Sequence, residues 1–98
     1  MPPSRVLWRA ASAAELAWAH LDGGHAVHHR PSGLTHLVDA LMVALLQDIL
    51  REPRTLEDAA VQLATAQQST ADDAMLERLA DVVGRLEALG LVRRDTRV

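Results

Sequence analysis

Five histidines fall between residues 20 and 36: His20, His25, His28, His29 and His36. Neutral imidazole is a good ligand for zinc or copper, and antiparallel pairing of short strands would bring some of these rings onto one face. Their spacing matches no recognised ligand set, and the chain has no cysteine to complete one. Asp22 and Asp39, the nearest carboxylates, are better used in a turn and a helix cap. The expectation is therefore no metal and no cofactor, with solvated histidines on strands. Nucleophilic catalysis finds no support either. Ser4, Ser12, Ser32 and Ser69 lie in turns or loops, and the sequence places no base beside them. Asp22-Gly23-Gly24 has the form of a tight turn rather than a phosphate-cradling loop. Glu57-Asp58 and Asp72-Asp73 fall where helices should begin, and carboxylates there complement the helix dipole. The expected protein is not an enzyme.

The elements that hold these residues change character at Leu34-Thr35-His36-Leu37-Val38-Asp39-Ala40-Leu41, just after Pro31-Ser32-Gly33. Upstream, Leu16, Trp18 and His20 alternate with Ala17, Ala19 and Leu21, which is a strand pattern. Asp22-Gly23-Gly24 supplies the positive-φ residues of a hairpin, and Ala26-Val27-His28-His29 returns. Leu34 to Val38 then makes a third strand of an antiparallel meander. Asp39 is placed to cap a first helix from about Ala40 to Leu50, with a wide apolar stripe of Leu41, Met42, Leu45, Leu46 and Ile49. Pro53 ends it. Thr55 and Asp58 resemble a capping box for a second helix, Leu56 to about Ala66, which buries Leu56, Ala59, Ala60 and Leu63. After the polar turn Gln67-Gln68-Ser69-Thr70, either Thr70 or Asp72 caps a third helix. Its stripe is Leu76, Leu79, Val83 and Leu86, flanked by Val82 and Leu89. Gly90 suits the left-handed position that closes a helix, with Leu91 and Val92 folding back. Ahead of the meander, Val6-Leu7-Trp8 reads as a short strand or strap and Ala10 to Ala14 as a low-complexity linker or a loose helical turn. The expected fold class is α+β and winged-helix-like, a three-stranded antiparallel meander followed by a three-helix bundle. Residues 1–14 form the strap and linker, 15–92 the domain, and 93–98 a frayed tail.

Composition narrows the function. Ninety-eight residues make one domain with a modest core. No apolar run approaches the ~18 residues of a membrane span, and no apolar region follows Met1-Pro2-Pro3-Ser4-Arg5 as it would in a signal peptide. A cytoplasmic protein with no membrane partner is expected. Every cationic residue is arginine, a usage expected of a GC-rich bacterial genome. The net charge of −3 opposes binding to nucleic acid. The third helix, the one a DNA reader would insert, carries Asp72, Asp73, Glu77, Asp81 and Glu87 against Arg78 and Arg85. Trp8 and Trp18 are the only aromatics apart from histidine, which excludes a sheet that stacks RNA bases.

The run Trp18-Ala-His-Leu-Asp22-Gly-Gly-His-Ala-Val27-His-His-Arg-Pro31-Ser-Gly-Leu-Thr-His36-Leu-Val resembles the small PqqD-like peptide chaperones, in particular the branch named for an HPr-related kinase system. The likeness continues through Asp39-Ala-Leu-Met-Val-Ala-Leu-Leu46 and Pro53-Arg-Thr-Leu-Glu-Asp-Ala-Ala60. It closes on Leu86-Glu-Ala-Leu-Gly-Leu-Val92, and so spans residues 8 to 92. Pro31-Ser-Gly-x-Thr-His36-Leu is its most distinctive part. The chain departs from the pattern at Leu34, where a polar residue, usually Asp, is expected; this bears on the turn and on what docks beside it. The resemblance implies a recognition element for ribosomally made, modified peptides. Such modules hold the leader of a precursor peptide and present the remainder to a modifying enzyme, here plausibly a kinase-like protein of the same system. The leader adds as a strand to the third strand of the meander, and its side chains enter a groove lined by the third helix.

The residues support such a site on their own terms. Leu34, Thr35, His36, Leu37 and Val38 lie at one end of the meander, so they should form an edge strand with unpaired backbone groups. Thr35 and Leu37 project to one face, Leu34 and His36 to the other. Met75, Arg78, Val82 and Arg85 recur at helical spacing beside the core stripe of the third helix. That mix suits a peptide with Leu or Ile anchors and acidic residues between them. The same edge could pair with a second copy of the chain, giving a homodimer that competes with peptide. A DNA-binding winged helix, a histidine-based metal binder and a dimerisation or regulatory subunit of an enzyme complex are the competing readings.

Overall fold

The computed structural model describes residues 6–96. Its elements run β1 (Val6–Ala10), β2 (Leu16–Leu21), β3 (Gly24–His29), β4 (Leu34–Val38), α1 (Ala40–Gln47), α2 (Leu56–Ala66), α3 (Asp73–Ala88) and β5 (Val92–Thr96). Single 3-10 turns occupy Ala13–Glu15 and Ile49–Arg51. The result is an α+β domain with a three-stranded antiparallel sheet, ordered β2-β3-β4, and a two-stranded antiparallel ribbon of β1 and β5. Among the described residues, no helix is long and apolar enough to cross a membrane.

The expected meander forms in a register that sorts its side chains. Leu16, His29 and Leu34 make one cross-strand row, Trp18, Val27 and His36 a second, and His20, His25 and Val38 a third. These three rows share a face, because alternate residues of a strand point the same way. Leu16, Val27, His29 and Val38 are buried on it against the helices. The opposite face carries Ala17, His28 and Thr35 in one row and Ala19, Ala26 and Leu37 in another. Gly23 and Gly33 take the positive φ, +82° and +73°, that the two connecting turns require.

Helix starts follow the expected caps. Asp39 Oδ1 accepts the Met42 N–H at 2.9 Å, and Thr55 Oγ1 accepts that of Asp58 at 3.1 Å. Asp72, not Thr70, caps α3, its Oδ1 accepting the Met75 N–H at 2.8 Å. The box at Thr55 stays half-formed: the Asp58 carboxylate instead accepts Arg54 Nη1 at 2.8 Å. Asp72→Ala is expected to lower stability by about 1 kcal/mol and Thr70→Ala by less than about half that, measured as shifts of the urea midpoint. Alpha3 ends in a Schellman motif. The Leu91 N–H donates to Leu86 O at 2.9 Å and the Gly90 N–H to Glu87 O at 3.0 Å, with Gly90 at φ +79°.

Two boundaries differ from expectation. The first helix does not run to Leu50. It ends at Gln47, and Asp48 (φ −126°, ψ −67°) breaks it into the tighter turn Ile49–Arg51. That turn buries both Ile49 and Leu50, and Arg54 Nε donates to Ile49 O at 2.8 Å, holding the tightened end. The second difference concerns the tail. Residues 93–96 do not fray; they belong to β5, which pairs along the whole of β1 from Ala10 opposite Val92 to Val6 opposite Thr96. Residues 97 and 98, and residues 1–5 of the expected strap, lie outside the described residues.

Side chains hold the ribbon in place. Arg94 sits 5.0 Å over the Trp8 ring and donates through Nε to Glu87 of α3 at 2.7 Å. Arg93 Nη2 donates to Glu15 at 3.1 Å. Trp8 also bridges to the α1–α2 connection, its N–H donating to Arg54 O at 2.7 Å and its carbonyl accepting the Arg54 N–H at 3.0 Å. The core lies between ribbon, sheet and helices, with Leu45, Leu46, Leu79, Leu86 and Leu91 fully enclosed.

Candidate functional site

Each histidine finds a different local use. His20 Nδ1 and His25 Nε2 are 3.1 Å apart across the β2–β3 hairpin. His28 Nδ1 meets Thr35 Oγ1 at 2.9 Å on the outer face. His29 is buried, contrary to the expectation of solvated histidines: register places it on the core face beside Leu16, and its Nδ1 meets Ser32 Oγ at 2.9 Å. His36 is half-buried on the same face. The Nε2 atoms of His29 and His36 are enclosed without a hydrogen-bond partner. Among the described residues, no group of three or more potential ligands is arranged to hold a metal ion.

Beta4 lies at one edge of its sheet, with β3 on one side only. Its five residues differ sharply in access. Leu37 is 79% exposed and Leu34 59%, large values for leucine. Thr35 is exposed and tied to His28, His36 turns inward, and Val38 is buried in the core. A partner strand would therefore meet the side chains of Leu34, Thr35 and Leu37, while His36 and Val38 could contribute backbone alone. Asp39 and Ala40 carry this edge straight into α1.

The α3 residues divide in the same way. Met75 and Arg78 line a depression of about 530 Å³ together with Ala40, Leu41 and Ala44 of α1 and Leu63 of α2. Val82 is buried in the core, which removes it from any surface a peptide could touch. Arg85 lies outside this depression and pairs with Asp81 at 3.1 Å, one turn back on the same helix. The depression at Met75 and Arg78 is thus completed by α1 and α2, and no residue of β4 lines it, unlike the expected groove between third strand and third helix. A second, more open depression of about 830 Å³ joins Leu37 and Val38 to Met42 and the Gly23–Gly24 turn. Ala40, at the strand-to-helix junction, lines both depressions.

Leu41, Leu63 and Leu79, expected in the core, and Ala44, which no motif marks, are among the residues that line the depression at Met75 and Arg78. A signal for them existed. The apolar stripe of the first helix is wider than one packed face needs, and Leu41, Met42, Val43 and Ala44 all remain half-buried. Chemically, the arrangement offers apolar cavities, an open strand edge and one exposed guanidinium, Arg78. These are means of holding an extended chain. In comparisons with known proteins, the chain matches no family model, no curated protein and no solved structure.

Proposed function

We propose that this chain is a non-catalytic, cytoplasmic peptide-binding adaptor of winged-helix-like, PqqD-like character. It captures the leader of a ribosomally made precursor peptide by strand addition to β4 and presents the remainder to a modifying enzyme, a kinase-like protein of the same system. The observation that carries this reading is the edge position of β4 with Leu34 59% and Leu37 79% exposed. An apolar, uncovered sheet edge is a liability that proteins normally blunt with charge, proline or a covering element. Here it is left open beside the depression that Leu37 and Val38 line, with Arg78 at a separate depression beyond Ala40. Backbone bonds would supply affinity; the depressions and the guanidinium would select apolar and acidic side chains. Two helices joined by a short turn and followed by a strand, as in α2, α3 and β5, favour the winged-helix likeness.

The test is an amide NMR titration with the leader peptide of a precursor encoded beside this gene. Saturable shifts concentrated on residues 34–38, the start of α1, Met75 and Arg78 are expected. Arg78→Glu should weaken an acidic leader about tenfold or more, equivalent to ~1.4 kcal/mol. A flat titration of folded protein counts against capture by this chain alone. Concentration-dependent shifts on β4 without peptide would instead favour the second reading, a homodimer through the same edge.

A further inference from the structure

At the β1–β5 ribbon, a cleft of about 630 Å³ opens between the strands, the Ala13–Glu15 turn and Arg51 of the turn after α1. It shares no lining residue with β4 or with the depressions beside it. Four arginines line it against two carboxylates, Glu15 and Asp95. Arg9 and Arg93 stand directly opposite one another on neighbouring strands. Like charges in that position destabilise a strand pair. Arg93 is compensated by Glu15, and Arg94 by Glu87. Arg9 and Arg51 have no ion-pair partner among the described residues. Ser12, also on the lining, makes no side-chain capping bond, so its hydroxyl is available.

We propose that this cleft is a binding site for a dianionic phosphate group, held by the guanidinium groups of Arg9, Arg51 and Arg93 with the Ser12 hydroxyl as a further donor. Planar guanidinium forks match tetrahedral oxyanions with two parallel N–H···O bonds each. A doubly charged ligand answers two uncompensated cations, which a single carboxylate does not. The cleft is large enough for a phosphate carrying a further group, so free phosphate and a nucleotide are both possible sources of the same chemistry.

The experiment titrates ¹⁵N-labelled protein with inorganic phosphate and, separately, with adenosine monophosphate, holding ionic strength constant with sodium chloride. Saturable shifts on Arg9, Ser12, Arg51 and Arg93 and on their side-chain Nε signals are expected with both. Tighter binding of the nucleotide identifies it as the better source, and equal binding identifies phosphate alone as the recognised group. Arg51→Gln should weaken binding about tenfold. Arg9→Gln should raise the Tm in chloride, because the repulsion with Arg93 is relieved, and should abolish the rise in Tm that phosphate gives the parent protein. The proposal is overturned if neither anion shifts these residues beyond chloride, or if Arg78 and Arg85 respond equally. It is also overturned if Arg9→Gln keeps the phosphate-dependent rise.

Discussion

Leu46→Ala is expected to remove about 2–5 kcal/mol of stability, a large share of the ~5–15 kcal/mol typical of a small domain. Leu45 and Leu46 are consecutive on α1 and both fully enclosed. Neighbouring helical positions point about 100° apart, so a helix that seals both has protein around much of its circumference. Here α1 packs against β1 and β3 and runs into the turn that buries Ile49 and Leu50. Walls formed by several elements collapse poorly into a cavity, and both the lost transfer energy and the void then count. In urea, the midpoint should fall with an unchanged slope. Val61→Ala, at a position 52% exposed, should change stability by less than about 0.5 kcal/mol. Equal effects of the two substitutions would contradict the central placement of α1.

Gly90→Ala is expected to cost about 2–4 kcal/mol, for two separable reasons. At φ +79° a Cβ is strained against the backbone. That Cβ would also lie 3.3 Å from His29 Cε1, tighter than ordinary contact. The imidazole has little room to yield, being buried and held through Nδ1 to Ser32. Gly90 therefore terminates α3 and also lets the sheet approach the helix end. A double-mutant cycle with His29→Ala separates the two effects. In the His29→Ala background the penalty should fall to about 1–2 kcal/mol, the backbone share alone. Strict additivity would show that the ring does not confine position 90.

The difference between what was legible and what was not follows the range of the interactions. Asp39, Thr55, Gly23, Gly33 and Gly90 act within a few residues of themselves, so their roles can be read from local chemistry. Beta5 could not be read that way. Arg93-Arg94-Asp95-Thr96 has the composition of a solvated tail, and it becomes a strand because β1, at the far end of the chain, pairs with it. Pro53 is a visible stop and predicts a helix reaching Leu50, whereas the helix ends at Gln47 and the turn that follows buries Ile49 and Leu50, a tertiary feature with no local mark. Burial of His29 was recoverable only from strand parity: it alternates in step with Val27, and imidazole polarity obscured that pattern. For the candidate site, the edge strand was legible from its place in the meander. The partition of α3 was not, since helical spacing put Met75, Arg78, Val82 and Arg85 on one stripe. Only the placement of α1 and α2 separates the two residues that line the depression from the buried Val82 and the outlying Arg85.

The pairing of β1 with β5 has a consequence for how the chain reaches this structure. The meander can zip from its two tight turns, each closing a short loop at small entropic loss. The ribbon is expected to form after sheet and helices have brought Ala10 and Val92 together, because direct closure spans nearly the whole chain. Yet Trp8, Ala10, Leu91 and Val92 all belong to the core. The core is therefore sealed by the contact that spans the most chain, and removing β1 is expected to expose it.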